Sequence, residues 1–77
     1  MTAKELAVKK LGEAVKIPYP LSGEKIGYVC GYHEGMNRII LGLHSKHGWR
    51  FEQSSHSDEL MVKVYKSFIY VEIEDVL

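Results

Sequence analysis

The feature that most constrains how this chain can fold is the stretch EKIGYVCGYHEGMNRIILGLHS, residues 24–45. Its second half places Ile39, Leu41 and Leu43 at every other position, which is the period of a β-strand with one apolar face. Its first half is also apolar, and the HEGMN between the halves contains the glycine and asparagine that favour turns. The sequence therefore predicts an antiparallel β-hairpin.

Alternation in the first of these strands predicts two unlike faces. One face carries large side chains, and the other carries two glycines, which allow another backbone or a ring to approach closely. The large set is Ile26, Tyr28, Cys30 and Tyr32, and the other is Gly27, Val29 and Gly31.

A short helix is predicted at the N-terminus, because Thr2 and Glu5 have the spacing of a capping box. Apolar residues follow at helical spacing and Gly12 is a suitable stop, so we place the helix at about 3–11. The next segment, GEAVKIPYP, alternates in side-chain character and predicts a first strand broken at its prolines. The alternative interpretation extends the helix to Val15.

The C-terminal third predicts two further strands and one ambiguous segment. WRFEQ, residues 49–53, is a short strand with Trp49 and Phe51 on the same side. SSHSDELMVKVYKS, residues 54–67, suits either a helix or a strand, and we treat it as a long loop with room for a turn of helix. The final FIYVEIEDVL predicts a strand that ends at or just before EDVL. Its two faces carry Ile69, Val71 and Ile73, and Phe68, Tyr70 and Glu72.

Length and composition fit one small soluble domain. A chain of 77 residues buries only about 60% of its unfolded surface, which leaves little room for an internal active site. The composition is 45% apolar and 26% charged, and no apolar run has the length of a secretion signal or a membrane span. A single cysteine excludes an internal disulfide, so a reducing cytoplasm is the predicted location.

The order of these strands resembles the small SH3-like barrels, in particular short proteins of this type encoded by bacteriophages and prophages. The resemblance is carried by the glycine-spaced KIGYVCGY, the strand start GWRF and the closing YVEIEDV. It implies a five-stranded barrel with binding loops over roughly residues 13–77. We therefore predict a mainly β fold, a small five-stranded SH3-like barrel with a helical segment at about 1–12, in one domain over 1–77. Short strands between glycine-containing and polar turns favour such a fold independently.

Residues that could catalyse a reaction or bind a metal form no complete set. Among four histidines, His44 and His47 come closest to ligand spacing, but a structural zinc site normally takes four ligands that include a cysteine pair. Cys30 stands alone in a strand, where a cysteine is typically a small buried hydrophobe rather than a nucleophile. We predict no enzyme activity, no cofactor and no metal, with the histidines solvated in loops.

Eight aromatic residues are more than so small an interior needs, so some of them should be exposed. Exposed aromatic side chains framed by polar residues are typical anchors for another protein. The sequence therefore predicts a non-enzymatic protein-binding module, and as a phage-type protein it would inhibit or modulate a host protein. The predicted anchors are Tyr19, Trp49, Tyr70 and Tyr65.

The distribution of charge supports an alternative partner, nucleic acid. Residues 1–50 hold eight Lys and Arg against four Asp and Glu, whereas residues 51–77 hold two against six. In a compact domain these halves either neutralise each other or form one basic and one acidic face. Duplex-binding proteins normally have an overall basic excess, and the net charge here is zero, so this function ranks second. Its basic face would comprise Lys9, Lys10, Lys16, Lys25, Arg38, Lys46 and Arg50.

Overall fold

The computed structural model describes residues 1–20, 23, 25–43, 53–55, 59–62 and 68–77, and of 53–55 and 59–62 only the backbone is described. The predicted mainly β fold with a short N-terminal helix is confirmed. The elements in chain order are helix α1 (Ala3–Lys9), strands β1 (Ala14–Lys16), β2 (Ile26–His33), β3 (Arg38–Gly42), β4 (Gln53–Ser55), β5 (Glu59–Val62) and β6 (Phe68–Val71), and a 3₁₀ helix (Ile73–Asp75).

The strands form one antiparallel sheet in the order β4-β5-β2-β3-β6, with β1 beside β2. One edge of the long β2 pairs with β3, and the other edge pairs with β1 at residues 26–28 and with β5 at residues 31–33. Within the described ranges no pairing joins β4 to β6, so this ladder is open at both ends. Closure into a five-stranded barrel, which the resemblance implies, is therefore not seen in this part of the chain.

Helix α1 begins where the capping box predicts. The Thr2 hydroxyl accepts a hydrogen bond from the Glu5 N–H at 3.2 Å, and the Thr2 N–H donates to Glu5 Oε1 at 2.9 Å. The helix ends at Lys9, two residues earlier than predicted, and Gly12 then turns the chain with a φ of 86°. Because β1 follows directly, the alternative that extends the helix to Val15 is wrong.

The main core lies between α1 and one face of the sheet, which we call the helix side. The predicted common face of Ile39, Leu41 and Leu43 is confirmed, because all three belong to this core. Val71 joins them from β6, as alternation predicts. The other buried members of this core are Ala3, Leu6, Ala7, Ile17, Val29, Tyr32 and Val76.

A β-bulge at Cys30 reverses the orientation of the second half of β2. Between Val29 and Gly31 the pairing advances by two residues on β2 and by one on β3, so Cys30 is an extra residue. Tyr32 consequently joins Val29 in the helix-side core, and His33 lies on the opposite face, which we call the far side. The prediction that Tyr32 shares a face with Cys30 is wrong, since strict alternation does not survive an extra residue.

The centre of the far side is also buried. Cys30 and Ile40 are fully buried, although neither belongs to the helix-side core. The Cys30 thiol donates a hydrogen bond to the Ile40 carbonyl oxygen at 3.4 Å. Because both faces of the middle of the sheet are packed, side chains for binding come from its periphery.

The treatment of residues 54–67 as a long loop is wrong, because β5 covers residues 59–62 and pairs with both β4 and β2. Of the two patterns that the sequence left open there, the strand is the one observed over these residues. Most of the predicted WRFEQ strand, with Trp49 and Phe51, lies outside the described residues. The final strand ends at Val71, before EDVL, as predicted. Over the residues with a described backbone, no helix is long and apolar enough to cross a membrane.

Candidate functional site

Three rings on the far side form a row that we call the aromatic strip: Phe68 and Tyr70 of β6, and His33 at the end of β2. The ring centroids of Phe68 and Tyr70 are 5.7 Å apart with an interplanar angle of 89°. Those of Tyr70 and His33 are 5.9 Å apart at 84°. Edge-to-face contacts between aromatic rings contribute about 0.5–1.5 kcal/mol each beyond the area they bury. The strip is therefore an ordered surface rather than three independent side chains.

Strand geometry explains why these rings meet. Phe68 and Tyr70 are two residues apart on one strand and so share a face. Strand β3 lies between β2 and β6 in the sheet, and its first residue, Arg38, pairs with His33. The bulge at Cys30 is essential to the row, because without the extra residue His33 would face the helix side.

The strip is only partly covered. Phe68 is 39% exposed, whereas Tyr70 and His33 are half-buried. A phenylalanine ring that faces solvent gains free energy when a partner covers it, at roughly 25 cal/mol per Å² of apolar surface removed from water. Of the three rings, Phe68 is therefore the one whose burial by a partner would contribute most to the free energy of binding.

A salt bridge lies beside the strip, between Arg38 and Glu72. The guanidinium Nη2 is 2.9 Å from Glu72 Oε1, and the two side chains are 41% and 46% exposed. At this exposure the pair contributes at most about 1 kcal/mol to stability. Arg38, which the nucleic-acid alternative places on its basic face, is thus already engaged by a carboxylate.

His33 is held by the hairpin turn that follows it. Its Nδ1 accepts a hydrogen bond from the Met36 N–H at 3.0 Å, so in the neutral ring the proton lies on Nε2. This bond and the contact with Tyr70 fix the ring plane. His33 is therefore a half-buried strand residue and not a solvated loop histidine as predicted, whereas His44, His47 and His56 lie outside the described residues.

A second surface lies at the β1 end of the sheet, where a shallow depression of about 320 Å³ opens between β1 and β2. Lys16 pairs with Ile26, which is 49% exposed, and the Ile17 N–H donates to the Lys25 carbonyl oxygen at 2.9 Å. These contacts bring Lys16 and Lys25 of the predicted basic face to one place. The depression is lined by Ala14, Val15, Lys16, Lys25 and Ile26.

The predicted anchors are not gathered into one site by the described residues. Tyr70 belongs to the aromatic strip, and Tyr19 is 64% exposed in the segment that follows β1. Trp49 and Tyr65 lie outside the described residues, as do Lys46 and Arg50 of the alternative basic face.

Sequence reasoning missed Phe68 and His33 as site residues. Phe68 was predicted to share a face with Tyr70, and that parity was the signal that could have added it to the anchors. His33 could not have been found in this way, because its orientation depends on the bulge at Cys30.

The described residues contain no group of three or more His, Cys, Asp or Glu that could hold a metal ion. Cys30 is buried, and its thiol faces a backbone carbonyl rather than solvent. A nucleophilic cysteine needs exposure and an electropositive neighbour. Burial therefore argues against Cys30 as a nucleophile.

Comparisons of this chain with family models, with curated proteins and with solved structures found no match. The interpretation of function consequently depends on the geometry of the aromatic strip and of the β1 depression.

Proposed function

We propose that this chain is a small non-enzymatic binding domain that holds another protein through the aromatic strip. The observation that carries the proposal is the edge-to-face row of Phe68, Tyr70 and His33, with Phe68 39% exposed at one end. Aromatic side chains are enriched among the few residues that dominate protein–protein affinity.

The surroundings of the strip support the same function. Binding surfaces typically combine an apolar centre with a polar, solvent-accessible rim. Here the rings supply the apolar part, and the exposed Arg38–Glu72 pair lies beside them. Charged groups in such a position orient a partner more than they raise its affinity.

The aromatic strip is also pre-organised for binding. Phe68 and Tyr70 lie on a strand that pairs with β3 over four residues, and ring contacts restrict the side chains further. Immobilising a flexible side chain at an interface costs about 0.5–1.5 kcal/mol. The side chains of the strip are already largely immobilised in the folded chain. They therefore lose little further conformational entropy when a partner covers them.

The partner is, on this proposal, a protein of a bacterial host that the chain inhibits or modulates. This part depends on the resemblance to small SH3-like proteins of bacteriophages and prophages, and it makes the bacterial cytoplasm the place of action. In addition to Tyr70, the residues Tyr19, Trp49 and Tyr65 remain predicted anchors.

The nucleic-acid alternative has one specific observation in its favour, the proximity of Lys16 and Lys25 at the β1 depression. Phosphate contacts lose affinity linearly with the logarithm of salt concentration, whereas an apolar anchor does not. Affinity that is nearly constant across a salt series would support a protein partner, and a steep loss would support nucleic acid.

The test compares Phe68→Ala with Val8→Ala, since Val8 is a second exposed apolar residue, 65% exposed, on α1. A partner is first captured from bacterial lysate on immobilised chain, identified by mass spectrometry and purified for affinity measurements. We expect Phe68→Ala to weaken binding by about 2 kcal/mol, the size of a hot-spot truncation, and Val8→Ala to change it by less than about 0.5 kcal/mol. Equal effects of the two variants would contradict the proposed site.

A further inference from the structure

We infer that the outer edge of β1 accepts an extended acidic peptide segment as an additional strand of the sheet. This inference goes beyond the proposed function, because it concerns the β1 edge and not the aromatic strip. It rests on the backbone of β1, on the exposure of that edge and on the lysines beside it.

The hydrogen bonds of β1 show which backbone groups are available. On the inner edge, the Glu13 carbonyl oxygen accepts from the Val29 N–H at 3.0 Å, and the Ile17 N–H donates to the Lys25 carbonyl oxygen at 2.9 Å. Inward and outward groups alternate along an antiparallel strand. The N–H and C=O groups of Ala14 and Lys16 therefore point away from β2.

No described strand covers the outer edge of β1. Ala14 and Lys16 are exposed, and among the described strands β1 pairs with β2 alone. Strand β5 pairs with the other half of the same β2 edge, at residues 31–33, and so does not pair with β1. Unpaired N–H and C=O groups on a sheet edge are a template for an added strand.

Charge and shape indicate the chemistry of the added strand. Lys16 and Lys25 line the apolar depression of about 320 Å³ between β1 and β2, next to the exposed side chain of Ile26. Among the described residues, the exposed Glu13 is the acidic neighbour just before β1, and the two lysines outnumber it. An added strand that alternates acidic and apolar residues would pair with the lysines and place an apolar side chain in the depression.

A short strand and a lysine also serve to block unwanted edge pairing. Blocking requires no exposed apolar side chain nearby, yet Ile26, the β2 residue that pairs with Lys16, is 49% exposed. An apolar side chain of an added strand would cover the exposed part of Ile26, which otherwise faces water.

The test is an NMR titration of the ¹⁵N-labelled full chain with a short capped peptide of alternating glutamate and valine. We expect the peptide to slow hydrogen exchange at the Ala14 and Lys16 amides and to shift their resonances. The paired variant Lys16→Glu with Lys25→Glu should weaken binding about tenfold or more. Lys4→Glu, a charge reversal on the exposed surface of α1, is the matched control and should leave the Kd unchanged.

A backbone variant tests strand addition independently of charge. Ala14→Pro removes one outward N–H, which an edge strand tolerates, and should abolish peptide binding while the amide spectrum stays dispersed. Phe68→Ala should leave peptide binding unaltered. A negative result for strand addition at β1 is therefore distinguishable from a negative result for partner binding by the aromatic strip.

Several outcomes would overturn the inference. They are absence of binding, equal binding of a peptide with lysine in place of glutamate, and binding of oligothymidylate but not of the acidic peptide at Lys16 and Lys25. Concentration-dependent protection of the Ala14 amide in the chain alone would identify a second copy as the occupant, and would also overturn it.

Discussion

The side-chain oxygen of Asn37 accepts a hydrogen bond from the backbone N–H of Ala3 at 2.9 Å. The bond joins the turn of the β2–β3 hairpin to the first residue of α1, 34 positions away in sequence. Asn37 also has a φ of 54°, in the left-handed region that asparagine tolerates better than most residues. One side chain thus supports the turn and satisfies one of the free N–H groups at the start of the helix.

The Asn37 bond predicts different effects for two substitutions. Asn37→Gly keeps the left-handed turn but removes the acceptor, and should lower the free energy of unfolding by about 1 kcal/mol. Asn37→Asp keeps an acceptor near the helix N-terminus and should be less destabilising. Urea denaturation of both variants measures the difference, and equal stability of the two would show that the bond to Ala3 contributes little.

Gly27 is predicted to be intolerant of alanine. A Cβ at this position would lie 2.9 Å from Leu41 Cβ and 3.3 Å from the Gly42 carbonyl oxygen, so β2 and β3 would have to separate. We expect Gly27→Ala to cost about 1–3 kcal/mol of unfolding free energy, the usual range for overpacking. Gly35→Ala, in the exposed hairpin turn, is the control and should change stability by less than about 0.5 kcal/mol. Comparable losses in both variants would contradict the steric explanation.

The capping box predicts a pH dependence. The hydrogen bond from the Thr2 backbone N–H, then the one from its hydroxyl, lowers the pKa of Glu5 below its ordinary value of 4.5. A carboxylate whose pKa is depressed on folding stabilises the folded state above its unfolded pKa, and this contribution is lost as pH falls through the folded pKa. Wild type should therefore exceed Glu5→Gln in melting temperature at pH 7, with a gap that narrows below pH 4.5. A gap that stays constant down to pH 3 would exclude the charge of Glu5 as its source.

Burial of Cys30 predicts an unreactive thiol. The side chain is fully buried and its sulfur is 3.4 Å from the Ile40 carbonyl oxygen. Alkylation by iodoacetamide should be slow in the folded chain and fast in urea, because reaction requires an exposed thiolate. Labelling of the folded chain at the rate of an unfolded one would reopen the question of a catalytic cysteine.

Much of the fold could be predicted from the sequence where alternation is unbroken. Alternate residues of β3 and β6 face the core as the sequence pattern predicts, and the capping box fixes the start of α1. Both signals are local in sequence. The second half of β2 could not be predicted, since an extra residue in a strand depends on the pairing with its neighbour and leaves no periodic signal.

The candidate site could be predicted only in part for the same reason. Tyr70 and the exposure of Tyr19 follow from the excess of aromatic residues over what the core needs. The contact of Tyr70 with His33 depends on the bulge. The proximity of Lys16 and Lys25 depends on the pairing of β1 with β2, which composition alone does not specify.

Site-specific photo-cross-linking shows directly whether a partner protein touches the aromatic strip, because it reports which surface the partner contacts. The photoreactive residue benzoylphenylalanine replaces Phe68 in one version of the chain and Val8 in another, both of which are exposed apolar positions. After irradiation in bacterial lysate, we expect one dominant protein adduct at position 68 that persists in nuclease-treated lysate and at high salt, and none at position 8. Adducts of equal intensity at both positions, or an adduct at position 68 that disappears after nuclease treatment, would contradict it.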